Sequence, residues 1–84
     1  MNRELVMREL YDVMHRGFPS LSISFDEKHN VKLTSPEFGF NDIELYEFLM
    51  CIEERFSVYF EPEEIRDNGF ETLDKICDLV CKKL

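Results

Sequence analysis

Cys77 and Cys81 stand four residues apart in the stretch DKICDLVCKKL, a spacing that puts two thiols on one helix face, where each could offer zinc a thiolate. A closed zinc site takes four ligands, and no second pair of cysteines or histidines is placed to supply the other two. Cys51 makes the cysteine count odd, and all three lie in apolar, helical-looking segments. That pattern fits free thiols in a reducing compartment better than a disulfide framework, so Cys77 and Cys81 read as buried, inert side chains and no metal is expected. His15 and His29 fall in separate elements as surface residues, and no nucleophile can be paired with either, so acyl-transfer chemistry has no constellation to run on. Carboxylates abound, but acids crowded along a solvated helix are not a tuned acid–base pair. No catalytic residue is expected, and the chain does not read as an enzyme.

The elements that would position these residues are small. At 84 residues, 44% hydrophobic and with eight phenylalanines and three tyrosines, the chain suits one domain over 1–84 with a modest core and no deep cleft. It contains no run of about 18 apolar residues. The opening MNRELVMREL is amphipathic rather than a charged leader followed by an apolar stretch. A soluble, cytoplasmic protein with no membrane span and no signal peptide is therefore expected. The net charge of −8 is unevenly spread: residues 1–36 sum to 0, residues 37–74 to −10 and residues 75–84 to +2. So acidic a middle would repel phosphate backbones, which argues against nucleic acid and for a partner with a basic surface.

Residues 2–16 place Leu5, Met7, Leu10, Val13 and Met14 near helical spacing, with Asn2 as a cap and Gly17 after the end. A long connection to residue 40 follows, in which Ile23, Phe25, Val31 and Leu33 alternate with polar residues around DEKHN. A hairpin this small is marginal alone, so an irregular loop with apolar anchors is expected. From Asn41 or Asp42, either a good cap, a helix can run to about Phe56. At about 100° per residue, Leu45, Phe48, Leu49, Ile52 and Phe56 share the inward arc. Ile43, Tyr46 and Met50 share a second arc, interleaved with Glu47, Glu53 and Glu54. Val58 and Phe60 anchor the next connection, and Pro62 starts a short helical turn that Asn68-Gly69 ends. Thr72 caps a last helix over 73–83, with Leu73, Ile76, Cys77, Val80 and Leu84 inward and Lys82 and Lys83 at its negative end. The expected architecture is an all-α bundle of three main helices and one short one.

With the helices placed, residues 37–80 resemble the acyl carrier protein family, small four-helix carriers that tether substrates through a phosphopantetheine arm. The run EFGFNDIELYEFLMCIEERFSVYFEPEEI is similar to the family's Asp-Leu-Gly-x-Asp-Ser-Leu, followed by an acidic helix ending in Glu-Glu-x-Phe and a Pro-Glu-Glu turn. NGFETLDKICDLV resembles the lead into the family's last helix. Residues 1–16 fit its first helix by pattern only, and residues 17–36 match poorly.

The alignment needs no gap across the helix, and it sets the family's Asp-Ser-Leu on Asn41, Asp42 and Ile43. The resemblance implies attachment of the arm through a serine hydroxyl at the middle position, where this chain carries Asp42. A carboxylate there has no hydroxyl to form the phosphodiester, and its charge repels the incoming phosphate. The expectation is a carrier-like protein with no covalent cofactor. The alternative is a working acyl or aminoacyl carrier using another serine, but Ser20, Ser22, Ser24 and Ser57 lack the following helix start, and Ser35 precedes Pro36 ahead of the motif. In the resembling family, partner enzymes read the acidic second helix. Its partner-facing positions here are Asp42, Ile43, Glu44, Tyr46, Glu47, Met50 and Glu54. The competing account is that Ile43, Tyr46 and Met50 cover other parts of the core. The chain is thus expected to be a monomeric, non-catalytic protein-binding module, docking on a biosynthetic enzyme with a basic patch. Carrier relatives without the serine occur beside peptide-modifying enzymes, which suggests peptide maturation as the setting.

Overall fold

The computed structural model describes residues 2–18 and 29–84. Four helices follow one another: α1 over Arg3–Gly17, α2 over Asp42–Phe56, α3 over Pro62–Asn68 and α4 over Leu73–Lys83. No strand occurs among the described residues, so the fold is all-helical there. The alternating residues Ile23 and Phe25 of the long connection lie outside the described residues. Its later part, 29–40, runs as turns and bends with Leu33 buried.

Side-chain caps set most of the helix starts. Asn2 Oδ1 accepts the Leu5 amide at 2.9 Å to open α1. Asn41, rather than Asp42, caps α2. Its side chain accepts the Glu44 amide at 2.8 Å while Glu44 Oε1 accepts the Asn41 amide at 3.1 Å, a reciprocal pair that satisfies two donors left over at a helix start. Asp42 is therefore the first residue inside the helix. Thr72 Oγ1 accepts the Lys75 amide at 3.2 Å to begin α4. Pro62 begins α3, which Gly69 ends in the left-handed region at φ 86°, a conformation that glycine adopts without steric cost.

The core runs between α1, α2 and α4, built from Val6, Leu10, Val13 and Met14 of the first, Phe48, Leu49 and Ile52 of the second and Leu73, Ile76, Cys77, Leu79 and Val80 of the last. Leu5, expected inward, is exposed, and Val6 takes the place. The inward stripe is Val6, Leu10, Val13 and Met14 at spacings of four, three and one, and Leu5 stands about 80° off its edge. Leu84, also expected inward, is exposed because it caps α4 beyond the last turn; Leu79 is buried instead.

Aromatic rings from the connections complete the core at the start of α2. Phe40 stacks at 4.7 Å centroid separation on Phe18, at the end of α1, and meets Phe48 edge-on at 6.1 Å and Phe38 at 6.3 Å. Phe40 immediately precedes the capping Asn41, so this cluster fixes where α2 begins. At the other end, Glu53 accepts the Phe60 amide at 2.9 Å, and Phe60 packs against Phe70.

Candidate functional site: the outer face of α2

The helix that buries Phe48, Leu49 and Ile52 turns the opposite side outward, where Ile43 is 69% exposed, Tyr46 62% and Met50 52%. These three, with Glu47 and Glu54, fall within about 100° of arc, centred opposite the core stripe. Ile43, Tyr46 and Met50 therefore do not cover the core. Tyr59, in the connection after α2, is 64% exposed and is a further surface aromatic that the sequence reading passed over, since its neighbours Val58 and Phe60 carried the apolar pattern.

The acids of α2 divide by what they hold. Glu44 is half-buried and caps Asn41, and Glu53 accepts the Phe60 amide. Asp42, Glu47 and Glu54 are exposed and engage no hydrogen bond or ion pair among the described residues. Arg55, the one base in the helix, is turned to α1, where its guanidinium meets Glu9 at 2.6 Å and Asp12 at 2.9 Å. The hydrogen bond from Arg55 holds the Asp12 carboxyl below the usual carboxylate range, helped by one from Arg16. With Arg55 engaged there, the outer face of α2 carries apolar groups and negative charge alone.

Beside this face, at the junction with α3, lies a hollow of about 280 Å³. Buried Leu49 and Phe70 floor it, half-buried Leu45 and Ile65 wall it, and Tyr46 and Asp42 stand at its rim. Its far wall is tied in place by Lys83 of α4, which donates to Glu64 of α3 at 2.6 Å, and by the Asn68 side-chain amide, which donates to the Lys75 carbonyl at 2.8 Å.

Asp42 sits exposed at the head of α2, its carboxylate engaging nothing among the described residues. Among the serines, Ser35 has its hydroxyl buried without a hydrogen-bond partner among the described residues, and Ser57 closes α2 at its C-terminal end in the left-handed region at φ 55°. Neither begins a helix. Ser20, Ser22 and Ser24 lie outside the described residues.

The cysteines differ among themselves. Cys77 is buried, and loss of solvent pushes its thiol up to about 12, while its Sγ lies 3.6 Å from the Arg3 carbonyl. Cys81 is half-buried and Cys51 is exposed, so only one of the three is a core residue. His29, expected as a lone surface residue, meets an acid: its Nδ1 lies 2.8 and 2.9 Å from the two Asp74 carboxylate oxygens, and Arg3 approaches the same carboxylate at 3.4 Å. This cluster borders a cavity of about 660 Å³ under α1, whose described lining includes Met7, Arg8 and Tyr11 but no serine, threonine, cysteine or lysine to act as nucleophile. Among the described residues, no group of three or more His, Cys, Asp or Glu side chains is arranged to hold a metal ion, and no helix is long and apolar enough to cross a membrane. Set against known proteins, the chain matches no protein-family model, no curated protein and no solved structure.

Proposed function

We propose that this chain is a carrier-like protein-binding module that docks through the outer face of α2 and carries no phosphopantetheine. The observation behind this reading is the composition of that face: three exposed apolar side chains, Ile43, Tyr46 and Met50, with the unengaged carboxylates Asp42, Glu47 and Glu54 around them and the only base of the helix directed elsewhere. Isolated apolar residues on a surface are ordinary, but an apolar group ringed by charge of one sign fits the centre-and-rim pattern of an interface. The partner is a biosynthetic enzyme with a basic patch, in keeping with the resemblance to acyl carrier proteins, and a peptide-modifying enzyme is the setting proposed. The module acts as a monomer in the cytoplasm. Its role is to position or recruit, since the face offers binding groups and no reacting atom.

Two measurements test this reading. A photo-crosslinking residue installed at Tyr46 in the native host should capture a partner with a basic surface, and the same residue at Arg8 on α1 should not. Capture from both positions alike, or from neither, would place the interface elsewhere. Intact mass of the protein from the same host should equal that of the bare polypeptide; a species heavier by one phosphopantetheine would overturn the non-carrier reading.

A further inference from the structure

The hollow at the α2–α3 junction has a chemistry of its own. Its volume of about 280 Å³ falls just short of the roughly 300 Å³ at which small-molecule sites begin, and suits one large side chain. Leu45, Leu49, Ile65 and Phe70 make its interior apolar, and its single charged lining residue is Asp42, whose carboxylate engages nothing among the described residues. An occupant must therefore bring an apolar body and, next to it, a positive charge. A fatty acid or a phosphate-bearing ligand would set its anion against Asp42, with Glu47 unneutralised five residues along the same helix. A second copy of this chain would oppose acids to acids, both on α2 and on α3, where Glu63 and Asp67 outnumber Arg66 on the exposed surface. A basic protein segment meets neither obstacle.

We propose that this hollow seats one bulky apolar side chain of the docking partner while a lysine or arginine adjacent to it in the partner's sequence pairs with Asp42. This rests on the docking reading above and adds to it the partner's recognition element: a cation beside a leucine-sized or aromatic residue. The exposed stripe of Ile43, Tyr46 and Met50 then makes the broad contact, and the hollow selects which segment of the partner lies over the head of α2. Burial of the anchor supplies affinity, and the ion pair at the rim, being exposed to solvent, contributes mainly orientation.

The test uses the whole chain, labelled for NMR, and two capped tripeptides as probes: acetyl-Arg-Leu-Arg-amide and acetyl-Arg-Ala-Arg-amide. The leucine probe should shift the signals of Leu45, Leu49, Ile65, Gly69 and Phe70, and the alanine probe should bind about tenfold more weakly, the difference expected for burying the larger side chain. Asp42→Asn, a change at an exposed position whose own spectrum reports its folding, should weaken the leucine probe about two- to fivefold, the range of a solvent-exposed ion pair. Equal binding of the two probes, or absence of any shift at Leu49, Ile65 and Phe70, would overturn the inference. Shifts confined to Ile43, Tyr46, Glu47, Met50 and Glu54 would do the same while leaving the docking reading intact. That reading is judged separately, by the crosslinks from Tyr46.

Discussion

Asp42 is the residue on which the functional reading turns, and its placement makes it easy to test. Because Asn41 caps α2, replacing Asp42 leaves both capping hydrogen bonds in place. Asp42→Ser forfeits only a negative charge near the positive helix end, about 0.3–1 kcal/mol at low salt. Asn41→Ala should cost about 1 kcal/mol in denaturant unfolding, because an orphaned amide loses its acceptor. Given coenzyme A and a broad-specificity phosphopantetheinyl transferase, Asp42→Ser should gain the arm at residue 42, as read by mass spectrometry, while the natural protein stays unmodified. Modification of the natural protein at any serine would defeat the non-carrier reading. Failure of Asp42→Ser alone would mean that the surface the transferase reads has gone along with the hydroxyl, with the exposed Asn41 beside it as the first residue to examine, since Phe40 is buried.

At the scale of the helices, two elements make the site: α2, which displays it, and the aromatic cluster that anchors the head of α2. Phe40→Ala should destabilise the protein by about 3–5 kcal/mol in urea unfolding, since Phe18, Phe38 and Phe48 all lose their shared neighbour. The docking face itself should tolerate change without loss of fold. Glu47→Lys with Glu54→Lys should leave the melting temperature nearly unchanged but slow association with the captured partner, and the wild-type association rate should itself fall as salt is raised. Association indifferent to both changes would exclude this face. The helices and both arcs of α2 were readable in the sequence because caps and helical periodicity are local signals. What was not readable depended on tertiary contact: the choice of Val6 over Leu5, the burial of Phe38 and Phe40, the exposure of Tyr59 and the meeting of His29 with Asp74, residues 45 positions apart. The hollow was also beyond reach, since its walls come from two helices and the link after the second.

Taken whole, the molecule separates its charges by task. Bases are drawn into pairs that tie elements together: Arg55 to Glu9 and Asp12, Lys83 to Glu64, Lys75 and Lys32 to Glu71. The carboxyls of Asp12, Glu64 and Glu71 are held below the usual range by the hydrogen bonds they accept from Arg55, Lys83 and Lys75 respectively. A carboxyl lowered on folding contributes stability that is fully present above its unfolded value and is lost as pH falls through the folded one. The melting temperature should therefore hold from neutral pH down to about 5 and drop below about 4, and Lys83→Ala should make that drop shallower. The same molecule-wide sorting of environments extends to sulfur. Cys77 is sealed in the core with its thiol raised to about 12, whereas Cys51 stands in solvent on the flank of α2, one residue past Met50. A thiol-reactive dye at neutral pH should therefore mark Cys51 ahead of the other two without any engineered cysteine, giving the natural protein a fluorescent reporter at the edge of the very surface whose occupancy is in question.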